Sequence, residues 1–229
     1  MPDETPLIKR VPPKRILSPP LNLHPASVPL SLYESTLEYF TSIPWCADLL
    51  LSESSPHGFG PAIPFIPQCL MPICDTQDQF IGATLATHPR ALKHMLCFFR
   101  PQDATQLRDP KRPIQTVDTL FDLGDGLTGY RDIIHGGMTT TMVDEAMCTV
   151  NDINQALGKH GLVYKLNSVT VGLEIKFLKP VPVPGVIRVT SWTESTEGRK
   201  TRMRCELRDG EGNILVKGSS MWVALDPKL

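Results

Sequence analysis

Residues 135–158 read HGGMTTTMVDEAMCTVNDINQALG. No proline interrupts this run. Met138, Met142, Met147, Val150, Ile153 and Leu157 place apolar side chains around much of a helical circumference. A histidine and two glycines open it, and Gly158 supplies a stop signal. A helix apolar on most sides is one that the fold surrounds, so the rest of the chain must wrap it.

The wrapping is legible on both flanks. Upstream, Leu92–Arg100 and Ile114–Leu123 read as strands, separated by a polar, proline-containing loop over residues 101–113. Downstream come four more strand candidates: Ser168–Leu178, Val186–Glu194, Arg202–Arg208 and Ile214–Ala224. Pro180 to Gly185, Glu197-Gly198 and Asp209-Gly-Glu-Gly212 mark the turns between them. Strands, one long buried helix, then antiparallel strands predict an α+β fold with a curved sheet around a central helix.

The N-terminal third is different. Eight of the chain's 22 prolines fall in residues 1–30, which predicts a polyproline-like or disordered arm over residues 1–29, outside any compact core. Ser31-Leu-Tyr-Glu34 has the form of a capping box and predicts a helix over 31–42, and Pro44 suits the first turn of a second helix through Leu51. The proline-rich stretch Ser54–Cys74 predicts an extended segment lying over the protein, too dense in proline to span a membrane. The expected division is an arm with short helices over residues 1–75 and a wrapped-helix domain over 76–229.

Charge and cysteine usage exclude several classes. Twenty-three basic and 24 acidic residues leave a net charge of −1, which argues against a general nucleic-acid binder. Six scattered cysteines with no CxxC pair predict free thiols in a reducing compartment. Asp3 and Glu4 near the start, with few arginines, favour a cytoplasmic over a mitochondrial location. The histidines form no HExxH or i,i+4 pair and join no cysteine cluster, so no metal site is expected.

The chemistry concentrates on the long helix. Two glycines at a helix N-terminus leave backbone amides uncovered at the positive end of the dipole, which suits an oxyanion hole for a carbonyl or, more plainly, a tight turn. A carboxylate inside an apolar helix is costly unless it is partnered or used. Asp144 and Glu145 compete for that role, about 100° apart around the axis. Gly137 and Asp144 share one face but lie roughly 10 Å apart along it. They can serve one carbonyl only if they come from different copies of the chain, related by a two-fold axis. A His-Gly-Gly loop also occurs in α/β-hydrolases, but those need a G-x-S-x-G elbow, and this sequence has none. Met138, Met142 and Met147 read as core or as the lining of an apolar tunnel. Arg199 and Lys200, with Arg202, form a short basic run.

HGGMTTTMVD, the strand Thr170-Val-Gly-Leu-Glu-Ile-Lys-Phe-Leu-Lys-Pro180, and the closing Met221-Trp-Val-Ala-Leu225 together resemble the HGG-type hotdog-fold thioesterases, over residues 76–226. The resemblance implies a hotdog fold. It implies hydrolysis of an acyl-CoA or carrier-bound acyl thioester at sites shared across a homodimer or a dimer of dimers. It selects Asp144, nine positions after His135, as base or nucleophile, and Thr170 as the residue assisting it. Gly137, helped by His135, would hold the oxyanion, and Gly136, Met138, Arg199 and Lys200 would contact substrate. No cofactor is implied, since coenzyme A belongs to the substrate. The run Gly129–Ile134 lacks the amide side chain that some relatives carry there. Two alternatives use the same letters: a hotdog enzyme repurposed in polyketide-like biosynthesis as a cyclase, dehydratase or isomerase, and a non-catalytic binding module.

Overall fold

The computed structural model describes residues 15–55, 58–72 and 78–225. Helix α3, Gly136–Ala156, runs along the concave face of a seven-stranded antiparallel sheet. The strands are β1 (Ile63–Phe65), β2 (Leu92–Phe99), β3 (Thr116–Leu123), β4 (Ser168–Phe177), β5 (Gly185–Glu197), β6 (Lys200–Arg208) and β7 (Ile214–Ala224), in spatial order β1-β2-β3-β5-β6-β7-β4. A long helix held in an antiparallel sheet is the hotdog arrangement, and the order of elements is the one expected from the sequence. The predicted strand and helix bounds move by only a few residues.

Alternation explains the wrapping. Along β6, Thr201, Met203, Cys205 and Leu207 are buried beneath α3, while Arg202 and Arg204 face outward. Met142, Val143, Ala146, Met147, Val150 and Ile153 of α3 close onto that inner face. At Gly218 the helix comes so near that a side-chain carbon would sit 2.7 Å from Cys205 Sγ and 3.0 Å from Val143 Cγ1. The far end of α3 is tied to the start of β3 by Asn154, which accepts from Ile114 N–H (2.7 Å) and donates to Ile114 O (2.8 Å). Just beyond, the buried Lys159 ammonium donates to the carbonyls of Gln106, Leu107 and Asp109 and so pins the 101–113 loop.

β2 and β3 are buried on both faces, because a second layer covers their outer side. Helices α1 (Leu30–Thr41) and α2 (Pro44–Leu51) set Tyr33, Phe40, Cys46 and Leu50 against Leu96, Phe98 and Leu120. Tyr39 stacks on His94, with ring centroids 4.0 Å apart, and His94 Nδ1 lies 3.1 Å from Asp122 Oδ2.

Three expectations for the N-terminal region are corrected. The arm does not stay outside the core from end to end: Ile16 and Leu17 are buried, and Leu17 exchanges backbone hydrogen bonds with Ile66. The two apolar residues outweigh the prolines around them, and residues 1–14 lie outside the described residues. The stretch 54–74 is not merely draped over the surface, since β1 joins the sheet; its Pro64 is tolerated because β1 is an edge strand. Among the described residues, 15–55 and 58–72 pack against the same sheet as the wrapped helix. Finally, Ser31 caps nothing. Pro29 takes the N-cap position in extended geometry, and Ser31 lies inside the helix, its carbonyl accepting from Ser35 Oγ.

Among the described residues, Cys46, Cys69, Cys97, Cys148 and Cys205 form no disulfide, and no helix is long and apolar enough to cross a membrane. Cys74 lies outside those residues.

Gly218→Ala is expected to destabilise the protein by about 1–3 kcal/mol through overpacking between β7 and α3. Chemical denaturation measures this, and a neutral result would mean that α3 can move off the sheet at little cost.

Candidate active site

The turn into α3 is held from three sides. Ile134 N–H donates to Val181 O (3.0 Å), His135 N–H to Leu127 O (2.8 Å), and a short hairpin, Thr128–Tyr130 with Ile133–Ile134, precedes it. Gly129 is needed there, because a side-chain carbon would fall 2.9 Å from His135 Cα. His135 is the N-cap, and its Nδ1 accepts from Gly137 N–H at 3.1 Å, so its proton sits on Nε2. This differs from the expectation that the Gly137 amide points at a ligand. In this conformation Gly137 serves the cap, and the Gly136 amide is the one without an acceptor among the described residues.

Gly136 and His135 open onto a cleft of about 650 Å³. Its walls come from Tyr130 and Ile133 on the hairpin and from Phe177, Leu178, Pro180 and Val181 where β4 ends. The Phe177 ring lies over Gly136, 3.5 Å from where a side-chain carbon would be. Met138 is half-buried against the main core, whereas Met142 and Met147 are fully buried in it.

Two turns along the helix, Asp144 Oδ1 accepts from Thr170 Oγ1 at 2.9 Å. A β-bulge makes this contact. The β4–β7 register shifts between Trp222, opposite Thr170, and Met221, opposite Gly172. The parity of the strand changes there, so that Thr170 on one side of the bulge and Leu173 and Ile175 on the other all turn inward. Burial raises the Asp144 pKa, and the Thr170 hydroxyl, which favours the charged form, works against that rise.

Glu145 is partly buried, like Asp144, and has the Cys69 thiol, Asp152 and Asp144 as neighbours. Burial first, then those two acidic neighbours, push its pKa to about 7. The residues singled out from the sequence thus fall into two groups. His135, Gly136 and Gly137 cluster at the β4 C-terminal end, beside Phe177. Asp144 and Thr170 lie toward the other end, where Lys200 pairs with Val223 and Ser168 with Ala224. Arg199 and Lys200 are exposed at that second end. Along α3 the two groups lie about 10 Å apart, from Gly137 to Asp144.

The elevated Glu145 pKa has a stability consequence. The folded state holds this proton more tightly than the unfolded chain, so stability falls as pH rises from 4.5 toward 7. Glu145→Gln is therefore expected to stabilise the protein at about pH 8, on the order of 2 kcal/mol, and to change little near pH 4.5. Thermal melts at both pH values measure it; an equal effect at both would remove the proton from the explanation.

Residues 132–216 match the Thioesterase superfamily model. Verlamelin biosynthesis protein B of Lecanicillium sp is 28% identical over 165 residues, 63% of this chain and 70% of that protein. Acyl-coenzyme A thioesterase THEM4 of Bos taurus is 29% identical over 123 residues, 52% of this chain and 44% of that one. An uncharacterised mitochondrial membrane protein of Saccharomyces cerevisiae, FMP10, is 30% identical over 102 residues, 44% of this chain and 39% of its own length. The chain thus spans less than half of the latter two relatives. The matched segment runs from Asp132 to Val216 and holds the His-Gly-Gly turn, Asp144 and Thr170, so the likeness to the thioesterase superfamily covers the central helix and the site on it.

Proposed function

We propose that this protein hydrolyses an acyl thioester, carried by coenzyme A or by a carrier protein, at two sites shared across a homodimer. The observation that carries this reading is the Thr170–Asp144 hydrogen bond, which orients a half-buried carboxylate with a raised pKa on the helix that opens with His-Gly-Gly. The thioester carbonyl oxygen would accept from the Gly136 amide, and from Gly137 once His135 releases it, at the positive end of α3. Asp144 would take a proton from water as that water attacks the carbonyl carbon, or attack directly and form an anhydride that water then opens. The thiol leaves with a proton in either case.

The sharing follows from the two-ended layout. β4 is an edge of the sheet and exposes Val169, Val171 and Phe177. A second copy pairing antiparallel along β4 across a two-fold axis sets the Gly136 end of one protomer beside the Asp144–Thr170 end of the other. Arg199 and Lys200 of that second end then lie at the rim, where they would meet the phosphates of coenzyme A.

The name of the Lecanicillium relative supports a second reading, in which the thioester is an intermediate of small-molecule biosynthesis. Strong turnover of a carrier-bound acyl group, with little turnover of simple acyl-CoAs, would favour it.

Thiol release from a panel of short, long and aromatic acyl-CoAs tests the main reading. Asp144→Asn is expected to lose about 10²–10⁴ in kcat/KM while staying dimeric. No turnover by the folded wild type on any CoA or carrier thioester would end it. Asp144 must be ionised to act as base, so activity falls as pH drops through its raised pKa. Thr170→Val removes the group that favours the ionised form and is expected to move this acidic limb upward as well as slow the reaction; an unmoved limb would detach Thr170 from Asp144. Co-expressing Asp144→Asn with Gly136→Val chains tests the sharing. Half of the randomly formed dimers are mixed, and each has one intact site, so about a quarter of wild-type activity is expected. Recovery of none, with mixed dimers present, would place each site within one chain.

A further inference from the structure

Ser220 stands out on the inner face of β7. The inward residues along that strand are otherwise Val216, Gly218, Trp222 and Ala224, and Ser220 is only 4% exposed among them. A hydroxyl buried there is costly unless it is partnered. Ser220 is partnered on both sides. Its Oγ accepts from the Trp222 indole Nε1–H at 2.8 Å and donates to Met147 Sδ at 3.2 Å. A thioether is a weak acceptor, so the second bond fixes a contact more than it adds stability.

Both ends of this relay reach the candidate carboxylate. Met147 lies three residues after Asp144, about one turn along α3. Trp222 is buried and stands directly opposite Thr170 in the β4–β7 ladder, so the two side chains are neighbours on the inner face. Thr170 Oγ1 donates to Asp144 Oδ1 at 2.9 Å. These contacts close a ring that runs from Asp144 through Thr170, Trp222, Ser220 and Met147, and back along one turn of helix.

The ring falls where the ladder alone holds Thr170 least well. The register shift lies between Met221 and Trp222, and a bulge disrupts pairing locally. Thr170 is the residue next to it that must point at the helix. The indole beside it, pinned at its nitrogen, supplies the wall that the broken ladder does not.

We propose that Ser220 and Trp222 are positioning residues for Asp144: the relay to Met147 fixes the indole, and the indole keeps Thr170 Oγ1 on the carboxylate. The effect on rate rests on the reading of Asp144 as base or nucleophile; the effect on the carboxylate itself does not. On α3 the ionisable neighbours of Asp144 are Glu145 and, one turn on, Cys148. β4 and β7 turn Ser168, Thr170, Ser220 and Trp222 inward at this level, none of them charged, and Arg199 and Lys200 stand at the same end of the sheet. The variants below alter none of these charges.

Carbon-13 carboxyl NMR of the full chain titrates Asp144 directly, with Asp144→Asn identifying its resonance. Thr170→Val is expected to raise the midpoint, because it removes the donor that favours the charged form. Ser220→Ala and Trp222→Phe are each expected to move it the same way, by about 0.3–0.7 of a pH unit, and by nothing further in the Thr170→Val background. In thioester hydrolysis each is expected to lower kcat about three- to tenfold while KM stays within about twofold. An unmoved midpoint in folded Ser220→Ala overturns the proposal, even where the melting temperature falls, since that is the signature of packing alone. A further shift in the Thr170→Val background also overturns it, because the effect would then bypass Thr170. Should Ser220→Ala fail to fold, Trp222→Phe decides by the same criteria. A midpoint that moves as expected in a protein that turns over no thioester supports the ring and ends the reading of the site as a thioesterase, so the two failures are told apart.

Discussion

The structure depends on the burial of α3. Twenty-one residues of helix pack on the concave sheet, and a polar group buried on them is satisfied there or carries a cost, as the Asn151 amide does. His135 takes the first orphan amide it can reach, that of Gly137. Thr149 returns its hydroxyl to the Ala146 carbonyl, and Asn154 spends its amide on both backbone groups of Ile114. Glu145, beside Asp152 and Asp144, holds its proton more tightly than a free carboxylate does. Among the described residues, the Thr170 hydroxyl is the hydrogen-bonding partner of Asp144, which remains partly exposed. It is thus the carboxylate on this helix that is both held in place and reachable. The same burial that makes the helix stable separates a structural acid from a chemically available one.

Much of this was legible because it is local or periodic. The long proline-free run, the inward and outward alternation of β6 and the Gly-rich turns each act over a few residues, and they yielded the central helix and the strand order. The assignment of Asp144 over Glu145 was not local. Spacing left the two open, and a resemblance in sequence decided between them. The physical reason for the choice, a bulge at Val171 that turns Thr170 toward the helix, depends on the pairing of β4 with β7 some fifty residues away. Gly172 at that position was the available hint.

What the sequence hid lies in the N-terminal region, and composition hid it. Proline density lowers the expectation of regular structure, but it says nothing of whether the apolar residues between the prolines are buried. Ile16, Leu17 and Ile66 are, and they carry Arg15 into the interior with them. Lys159 was equally hidden. A lysine after a helix stop looks like solvated charge until three loop carbonyls from residues 106–109 converge on it. Both are long-range effects in which a cation follows the backbone that surrounds it.

The layer formed by α1 and α2 also constrains how such chains can assemble. A bare curved sheet has two surfaces to offer a neighbour, its open edge and its convex back, and higher assemblies can grow by stacking back to back. Here the back of β2 and β3 is already occupied by Tyr33, Phe40 and Leu50. The uncovered part, over β6 and β7, presents Arg202 together with the ion pairs Arg204–Glu194 and Lys217–Glu206, a charged surface that a symmetric contact would have to desolvate. The N-terminal helices therefore act as a built-in neighbour over the backs of β2 and β3.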